Sequence, residues 1–205
     1  MRLRFLVAYG PTREPLDPVR FLSNYSTGVM GKSVVLAAKK RGHRVESVEC
    51  PSRAETALEL EKVLRRLVPK SDVLVMAAAV ADVRPAGFSG SKIKKDRLRS
   101  IRLVKNPDVL AGLAKRKKKG QVFIGFGLES ADLLKNGRGK LRKKGLELIV
   151  LQRVSSKNKP FGDRTVDATL LDAEGGVERR ARITKKDLAG ILVRQAEALY
   201  ASKNS

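Results

Sequence analysis

Four short apolar runs, Leu3–Ala8, Val73–Val80, Val122–Phe126 and Leu146–Leu151, recur along the chain with helical patterns between them. Each is apolar mostly at consecutive rather than alternate positions, with Arg4 and Glu147 the charged exceptions near two of the starts, as in strands buried on both faces of a parallel sheet. Parallel neighbours need crossover segments, and the intervening stretches supply them. Lys32–Arg41 reads as a helix closed by Gly42, suited to a left-handed cap. Arg44–Val48 alternates weakly and reads as a second strand. Ser52 with Glu55 forms a capping box ahead of Ala57, Leu60, Leu64 and Leu67, which share one helical face. Asn106, Pro107 and Asp108 start a helix expected to reach about Lys118 and stop at Gly120. Leu133–Lys144 is helical in composition, weakened by Gly137 and Gly139 and ended by Gly145. This alternation predicts an α/β fold, doubly wound and Rossmann-like, around a mostly parallel sheet.

After Gln152 the texture changes. Ser155–Asp163 is polar and loop-like. Val166–Leu171 and Val177–Ile183 flank Glu174-Gly175-Gly176, a hairpin signal. Thr184 with Asp187 caps a last helix, Leu188–Leu199, and the tail 201–205 is expected to fray. The 205 residues suit one domain, with 1–151 as a nucleotide-binding sheet core and 152–205 as hairpin and C-terminal helix.

Composition narrows the chemistry. No apolar run reaches the ~20 residues that span a bilayer. The apolar part of MRLRFLVAYG is too short for a signal peptide, so a cytoplasmic protein is expected. With Cys50 the sole cysteine, no internal disulfide or cysteine metal cluster can form. The sole histidine, His43, follows Gly42 and reads as a strand-start residue, which argues against a Ser–His or Cys–His mechanism. A formal charge of +23 favours anionic partners, either nucleic acid or small phosphorylated ligands. The basic runs Lys115–Lys119 and Lys140–Lys144 fall at helix ends, where the dipole favours cations. Aromatic residues do not interleave with them, which weakens a base-stacking mode of strand binding.

Ligands of open parallel sheets lie beyond the carboxyl ends of the strands, and four clusters fall there. The stretch Gly10–Gly31, GPTREPLDPVRFLSNYSTGVMG, is far longer than the usual ~2–6-residue connection. Pro11, Pro15 and Pro18 deny it regular hydrogen bonding. It ends in Ser23, Asn24, Ser26, Thr27 and Gly28 just before a helix, where backbone N–H groups can meet an anion. The competing reading is an ordinary strand-to-helix connection. In Ala77–Asp82, AAAVAD, small residues let a flat base approach and Asp82 offers an acceptor; tight packing is the alternative. Lys92-Ile93-Lys94-Lys95 lies in Arg84–Arg99, read as a mobile loop before a short strand, Ile101–Val104. A lysine there can swing onto a phosphate or stay solvated. In Gly125-Phe126-Gly127 the phenyl ring can stack on a base or fill the core. No GxGxxG stands at the first turn and no GxxxxGK[ST] anywhere.

In order and spacing, GPTREPLDPVRFLSN, STGVMG, AAAVAD, KIKK, VKNPDVL and GFGLES resemble the phosphopantothenoylcysteine synthetase family, from Leu3 to about Tyr200. These are the phosphopantothenate–cysteine ligases of coenzyme A biosynthesis. The resemblance implies a ligase that works through an acyl-nucleotide, releases pyrophosphate and uses Mg²⁺. The AAAVAD and KIKK forms are similar to the bacterial type, which implies CTP rather than ATP, an acyl-cytidylate and release of CMP. It implies catalytic roles for Lys92 in the first half-reaction and for Asn24, whose amide binds the acyl oxygen. It implies nucleotide contacts by Ala78, Asp82, Lys92, Pro107, Asp108, Val109, Leu110, Phe126, Lys140 and Lys144, and substrate contacts by Arg20 and Asn24. Metal ligands stay unassigned. The expected partners are phosphopantothenate, cysteine, CTP and a second copy of the chain, with no membrane and no nucleic acid. In many bacteria this domain follows a flavin-dependent decarboxylase, and nothing here resembles that half. The chain therefore reads as a stand-alone synthetase or an excised domain, with a separate decarboxylase as a further expected partner. Two departures stand out: GFGLES where GFAAET-like runs are usual, and LIVLQRV, Leu148–Val154, where LIVAN is typical. The rival classes are a basic nucleic-acid-binding module on a nucleotide-binding fold and a pyridine-nucleotide reductase, which the missing GxGxxG disfavours.

Overall fold

The structure, a computed structural model, describes residues 1–155 and 158–205. Its elements run β1 (Arg4–Pro11), β2 (Arg13–Pro15), β3 (Phe21–Ser23), α1 (Val29–Lys40), β4 (Arg44–Glu49), α2 (Ala57–Leu67), β5 (Val73–Ala79), β6 (Val83–Pro85), β7 (Leu103–Lys105), α3 (Val109–Ala114), β8 (Val122–Glu129), α4 (Leu133–Lys143), β9 (Leu148–Arg153), β10 (Val166–Asp172), β11 (Val177–Ile183) and α5 (Lys185–Asn204). A seven-stranded sheet has the order β11-β10-β9-β8-β5-β1-β4. Strands β4, β1, β5, β8 and β9 are mutually parallel, and β10 and β11 extend the sheet antiparallel. The expected α/β, doubly wound, Rossmann-like sheet with a C-terminal hairpin and final helix is what forms.

Alternation within the strands sorts the core into two layers. Phe5, Val7 and Tyr9 point to the α1 and α5 side, packing with Val34, Ala38, Leu188 and Leu192. Leu6 and Ala8 point to the side of α2, α3 and α4, packing with Leu60, Leu64, Leu113 and Leu141. Burial on both faces explains the nearly continuous apolar runs. His43 is structural, as its place before β4 suggests. Its Nδ1 accepts from Leu3 N at 3.2 Å and its Nε2 meets Glu197 Oε1 at 2.7 Å.

β1 has β4 on one side and β5 on the other, the point where strand order reverses and a crevice opens. The register places Gly10 opposite Ala78 and Pro11 opposite Ala79, so the opening segment emerges beside AAAVAD.

Local expectations shift in several places. The opening segment is not free of pairing: β2 and β3 form an antiparallel ribbon with Pro15 opposite Phe21, since a two-stranded ribbon tolerates proline at its end. Arg84–Arg99 is likewise bounded by a ribbon of β6 and β7, whose strand begins at Leu103 rather than Ile101. The capping box lies four residues on, where Thr56 Oγ1 accepts from Glu59 N and Glu59 Oε2 accepts from Glu55 N. Asp108, not Asn106, caps α3, its Oδ1 accepting from Ala111 N at 3.2 Å. Asn106 is drawn instead to the end of β5, donating to Ala81 O at 2.9 Å. α3 stops at Ala114, well before Lys118, as Lys117 turns to Glu147 and Gly145 O. The tail does not fray: α5 reaches Asn204, which donates to Gly120 O, while Lys203 reaches Glu147. Of the polar stretch Ser155–Asp163, residues 156–157 lie outside the described residues.

Candidate functional site

At the carboxyl ends of β5 and β8 lies a cavity of about 470 Å³. Asn24, Ala78, Asp82, Asp108, Val109, Leu110, Phe126, Lys140 and Lys144 all line it. Nine of the residues singled out in the sequence thus meet on one wall, from five separate chain segments. Pro107 is not on the wall, although its neighbours Asn106 and Asp108 are. Arg20 and Lys92 are not on it either.

Each element aims its residue for a local reason. β5 ends in Ala77–Ala79, and these small side chains leave the floor open. β8 runs to Glu129, longer than its apolar core, and carries half-buried Phe126 to the rim. Lys140 pairs with Glu129 at 2.5 Å and Lys144 with Asp108 at 3.2 Å. α4 and the start of α3 are thereby cross-tied over the cavity, with two cations where a polyphosphate can displace the carboxylates. Asn24 donates through Nδ2 to Val80 O at 3.1 Å. Its Oδ1 has no partner among the described residues.

The Lys92 segment is tied to the opening segment through a polar clasp. Asp17, buried, accepts from Ile93 N at 3.1 Å, from Val19 N and Arg20 N at 2.9 Å, and from the Arg20 guanidinium. Arg20 Nη2 donates in turn to Ile93 O at 2.7 Å, and Ser89 N donates to Leu16 O. The Arg20 guanidinium holds the Asp17 carboxyl far below the usual carboxylate range, against the opposing effect of burial. Lys92, next to the clasped Ile93, is exposed and makes no ion pair or hydrogen bond among the described residues.

A second, smaller cavity of about 170 Å³ adjoins the first, with Tyr25, Ala78, Ala79, Phe126 and Phe161 lining both. It sits at the start of α1. Gly28 is the N-cap at φ 72°, and a side chain at Gly31 would place Cβ 2.1 Å from Tyr9 Cβ, so glycine lets α1 begin directly against β1. Gln152 and Lys185 also line this cavity. Sequence reasoning did not name either as a site residue, although LIVLQRV flagged the position of Gln152 as a departure. Lys185 carried no signal, because it lies at a helix start in a charged run. Tyr25 and Phe161, whose rings stand 5.9 Å apart, were also missed.

Comparisons with known proteins agree with this architecture. Over 98% of the chain, the C-terminal domain of the coenzyme A biosynthesis bifunctional protein CoaBC superposes with a TM-score of 0.79 and 28% identity, covering 96% of that structure. The CoaBC bifunctional protein of Escherichia coli K12 is 34% identical over 98% of this chain and 53% of its own length. That of Mycolicibacterium smegmatis is 38% identical over 84% and 47%. A protein of an unknown prokaryotic organism, named cysteine/cysteine sulfinic acid decarboxylase, is 34% identical over 94% and 57%. The chain spans about half the length of the curated relatives it matches. Residues 1–199 match the DNA/pantothenate metabolism flavoprotein C-terminal domain family, and the chain belongs to that family.

Proposed function

We propose that this chain is a phosphopantothenate–cysteine ligase that uses CTP. One observation carries the reading: the clasp between Asp17, Arg20 and Ile93 brings the Lys92 segment to the opening segment bearing Asn24, beside the cavity of Asp82, Phe126, Lys140 and Lys144. Kinship with coenzyme A biosynthesis proteins supports the choice of substrates.

In the first step the phosphopantothenate carboxylate attacks the α-phosphorus of CTP, and pyrophosphate leaves. The Lys92 ammonium, unpaired among the described residues, stabilises the charge that gathers there. Lys140 and Lys144 exchange their carboxylates for phosphate oxygens, and Phe126 offers a face to the base. In the second step the cysteine amine attacks the acyl carbon of the acyl-cytidylate, CMP leaves and the amine nitrogen loses a proton. With Nδ2 engaged at Val80 O, the free Oδ1 of Asn24 suits the incoming N–H better than the acyl oxygen. No group of three or more His, Cys, Asp or Glu among the described residues can hold a metal. Asp82 and Asp108, which line the cavity, would hold Mg²⁺ brought in on the triphosphate, and the ion would supply positive charge to the phosphate oxygens.

A homodimer belongs to the same reading. Val19, Phe21 and Leu22 on the first ribbon and Ile101, Leu103 and Val104 at the second are exposed apolar residues beside the site, which a second copy would cover. No helix among the described residues is long and apolar enough to cross a membrane, which fits a cytoplasmic enzyme supplied by a separate or fused flavin-dependent decarboxylase.

The test offers phosphopantothenate, cysteine and Mg²⁺ with either CTP or ATP and measures pyrophosphate and nucleoside monophosphate. CTP should yield pyrophosphate and CMP, with ATP slower. No pyrophosphate from either nucleotide overturns the reading. An RNA association that is salt-sensitive and tighter than CTP binding would favour a nucleic-acid partner instead.

A further inference from the structure

The outer faces of α1 and α5 leave a groove of about 910 Å³ between them, larger than either cavity at the strand ends and sharing no residue with them. The inner stripes of the two helices, Val34 and Ala38 with Leu188 and Leu192, are buried against the sheet. The outer stripes repeat at helical spacing and meet each other: Leu36, Ala37 and Lys40 on α1, Gly190, Ile191 and Arg194 on α5.

Three features of the groove point to an occupant. Its floor is apolar, and Leu36 stands 61% exposed on a helix whose opposite face carries the core. Its edges are cationic. Lys40, Lys186 and Arg194 make no ion pair or hydrogen bond among the described residues, whereas Arg41 beside them is paired with Glu197 at 2.7 Å. Asp187, the one carboxylate on the wall among the described residues, accepts from Thr184 Oγ1 at 2.6 Å in the cap of α5 and so does not neutralise them. The third feature is Gly190, inside a twenty-residue helix, where glycine is less favourable than alanine. Packing within the chain does not require it: a Cβ there would meet only the Arg194 guanidinium, at 3.7 Å, an ordinary contact. The missing side chain keeps the floor open between the helices.

We infer that this groove docks an acidic amphipathic helix of a partner protein, with apolar side chains over Leu36 and Ile191 and carboxylates against Lys40, Lys186 and Arg194. Charge complementarity selects that occupant. A second copy carries the same formal +23, and an isologous contact through this groove would bring like cations face to face. A nucleic acid would meet the cations but no stacking platform, because the lining holds no aromatic ring among the described residues, and it would leave the apolar floor uncovered. The groove follows each helix for roughly 12 Å, from Ser33 to Arg41 and from Lys186 to Arg194, which suits anchors at i, i+3 and i+7 of a docked helix.

The probe is a synthetic peptide of about 15 residues built from Leu, Glu and Ala, with Leu at every third or fourth position. Its controls are a scrambled peptide of the same composition, a version with Lys in place of Glu, and an oligouridylate. Each is titrated into the parent while backbone amide shifts are followed, and sedimentation reports self-association. The acidic helix should bind at least ~10-fold tighter than either control peptide, and its shifts should fall on α1 and α5. Its affinity should fall with added salt. Gly190→Leu, which fills the floor and leaves the charge unchanged, should weaken the acidic helix ~10-fold by excluding its apolar anchors. Lys40→Glu with Arg194→Glu should weaken it at least ~10-fold by reversing both edges. Neither variant should change CTP binding. If Gly190→Leu loses helical content in circular dichroism, the charge-reversed pair, at two exposed positions, decides alone. Absence of binding, equal binding of the scrambled peptide, tighter binding of the oligouridylate, shifts away from α1 and α5, or parent self-association that Gly190→Leu abolishes overturns the docking site.

Discussion

Phe123 and Val150, in the middle of the sheet, are fully enclosed, whereas Phe21 in β3 and Leu103 in β7 are 49% and 47% exposed. Both regions contain strands with apolar residues, yet only one buries them. The central strands β1, β5, β8 and β9 have helices on both faces, so alternate side chains find a core layer on either side. The ribbons have only three residues per strand and are joined to one another through the Asp17 clasp. Few buried apolar contacts mean a low local opening free energy. Local opening should therefore cost less at the ribbons than in the sheet.

The sharpest way to break the comparison is to change one residue in each region. Lys92→Gln should cut pyrophosphate formation by ~10²–10³ or more while leaving the thermal unfolding midpoint where it was, since Lys92 has no partner among the described residues. An unchanged rate would remove Lys92 from the chemistry. Phe123→Ala should do the reverse, costing about 3–5 kcal/mol in denaturant unfolding through the void it leaves in a closed layer. Equal losses of rate and stability in both variants would erase the distinction between rim and core.

Asp17→Asn tests whether the clasp positions the lysine. It should lower kcat/KM ~10-fold, with a smaller change in the unfolding midpoint near neutral pH, because the loss acts through loop placement. Acid sharpens the point. The folded Asp17 carboxyl titrates well below its unfolded value, so its contribution to stability is complete above about pH 4 and is lost as pH falls below that. Urea midpoints measured between pH 5 and pH 3 should therefore converge between parent and variant as the pH drops. Parallel curves would show that the clasp carboxylate is not ionised against Arg20. Replacing Phe21 by Ser should shift a dimer towards monomer in light scattering at micromolar protein, with little effect on secondary structure; a monomeric parent would dispose of the homodimer. The smallest expected effect is at Cys50, whose thiol burial pushes up to about 12. It should react with thiol reagents at pH 8 only after unfolding, and prompt reaction of the folded chain would mean the β1–β4 end of the sheet opens easily.

How far the sequence could be read follows the same division. The apolar runs gave the parallel strands and their helices because burial on both faces leaves a continuous signature that needs no partner to be recognised. The glycines after α1 and α4 marked helix ends because positive φ is a local property. The residues that meet on the wall of the larger cavity stood out in the sequence because their motifs are contiguous. Of the two ribbons only β7 was anticipated, two residues early, because three-residue pairings of polar and apolar residues carry no period. The capping residues of α2 and α3 were displaced because Ser52 and Asn106 are as good caps locally as Thr56 and Asp108; only the packed position of each helix start selects one.

The chain alone therefore determined which segments become buried strands, where their helices stop and which short motifs lie at the sheet's carboxyl edge, since all of these depend on neighbours a few residues away. Only the tertiary structure decided that Asp17 would grip Ile93, that Asn24 would hang its amide on Val80, and that Gln152 and Lys185 would share a cavity with the start of α1. Those outcomes depend on strand order and register, which join residues far apart in the chain, and no local pattern of side chains encodes that distance.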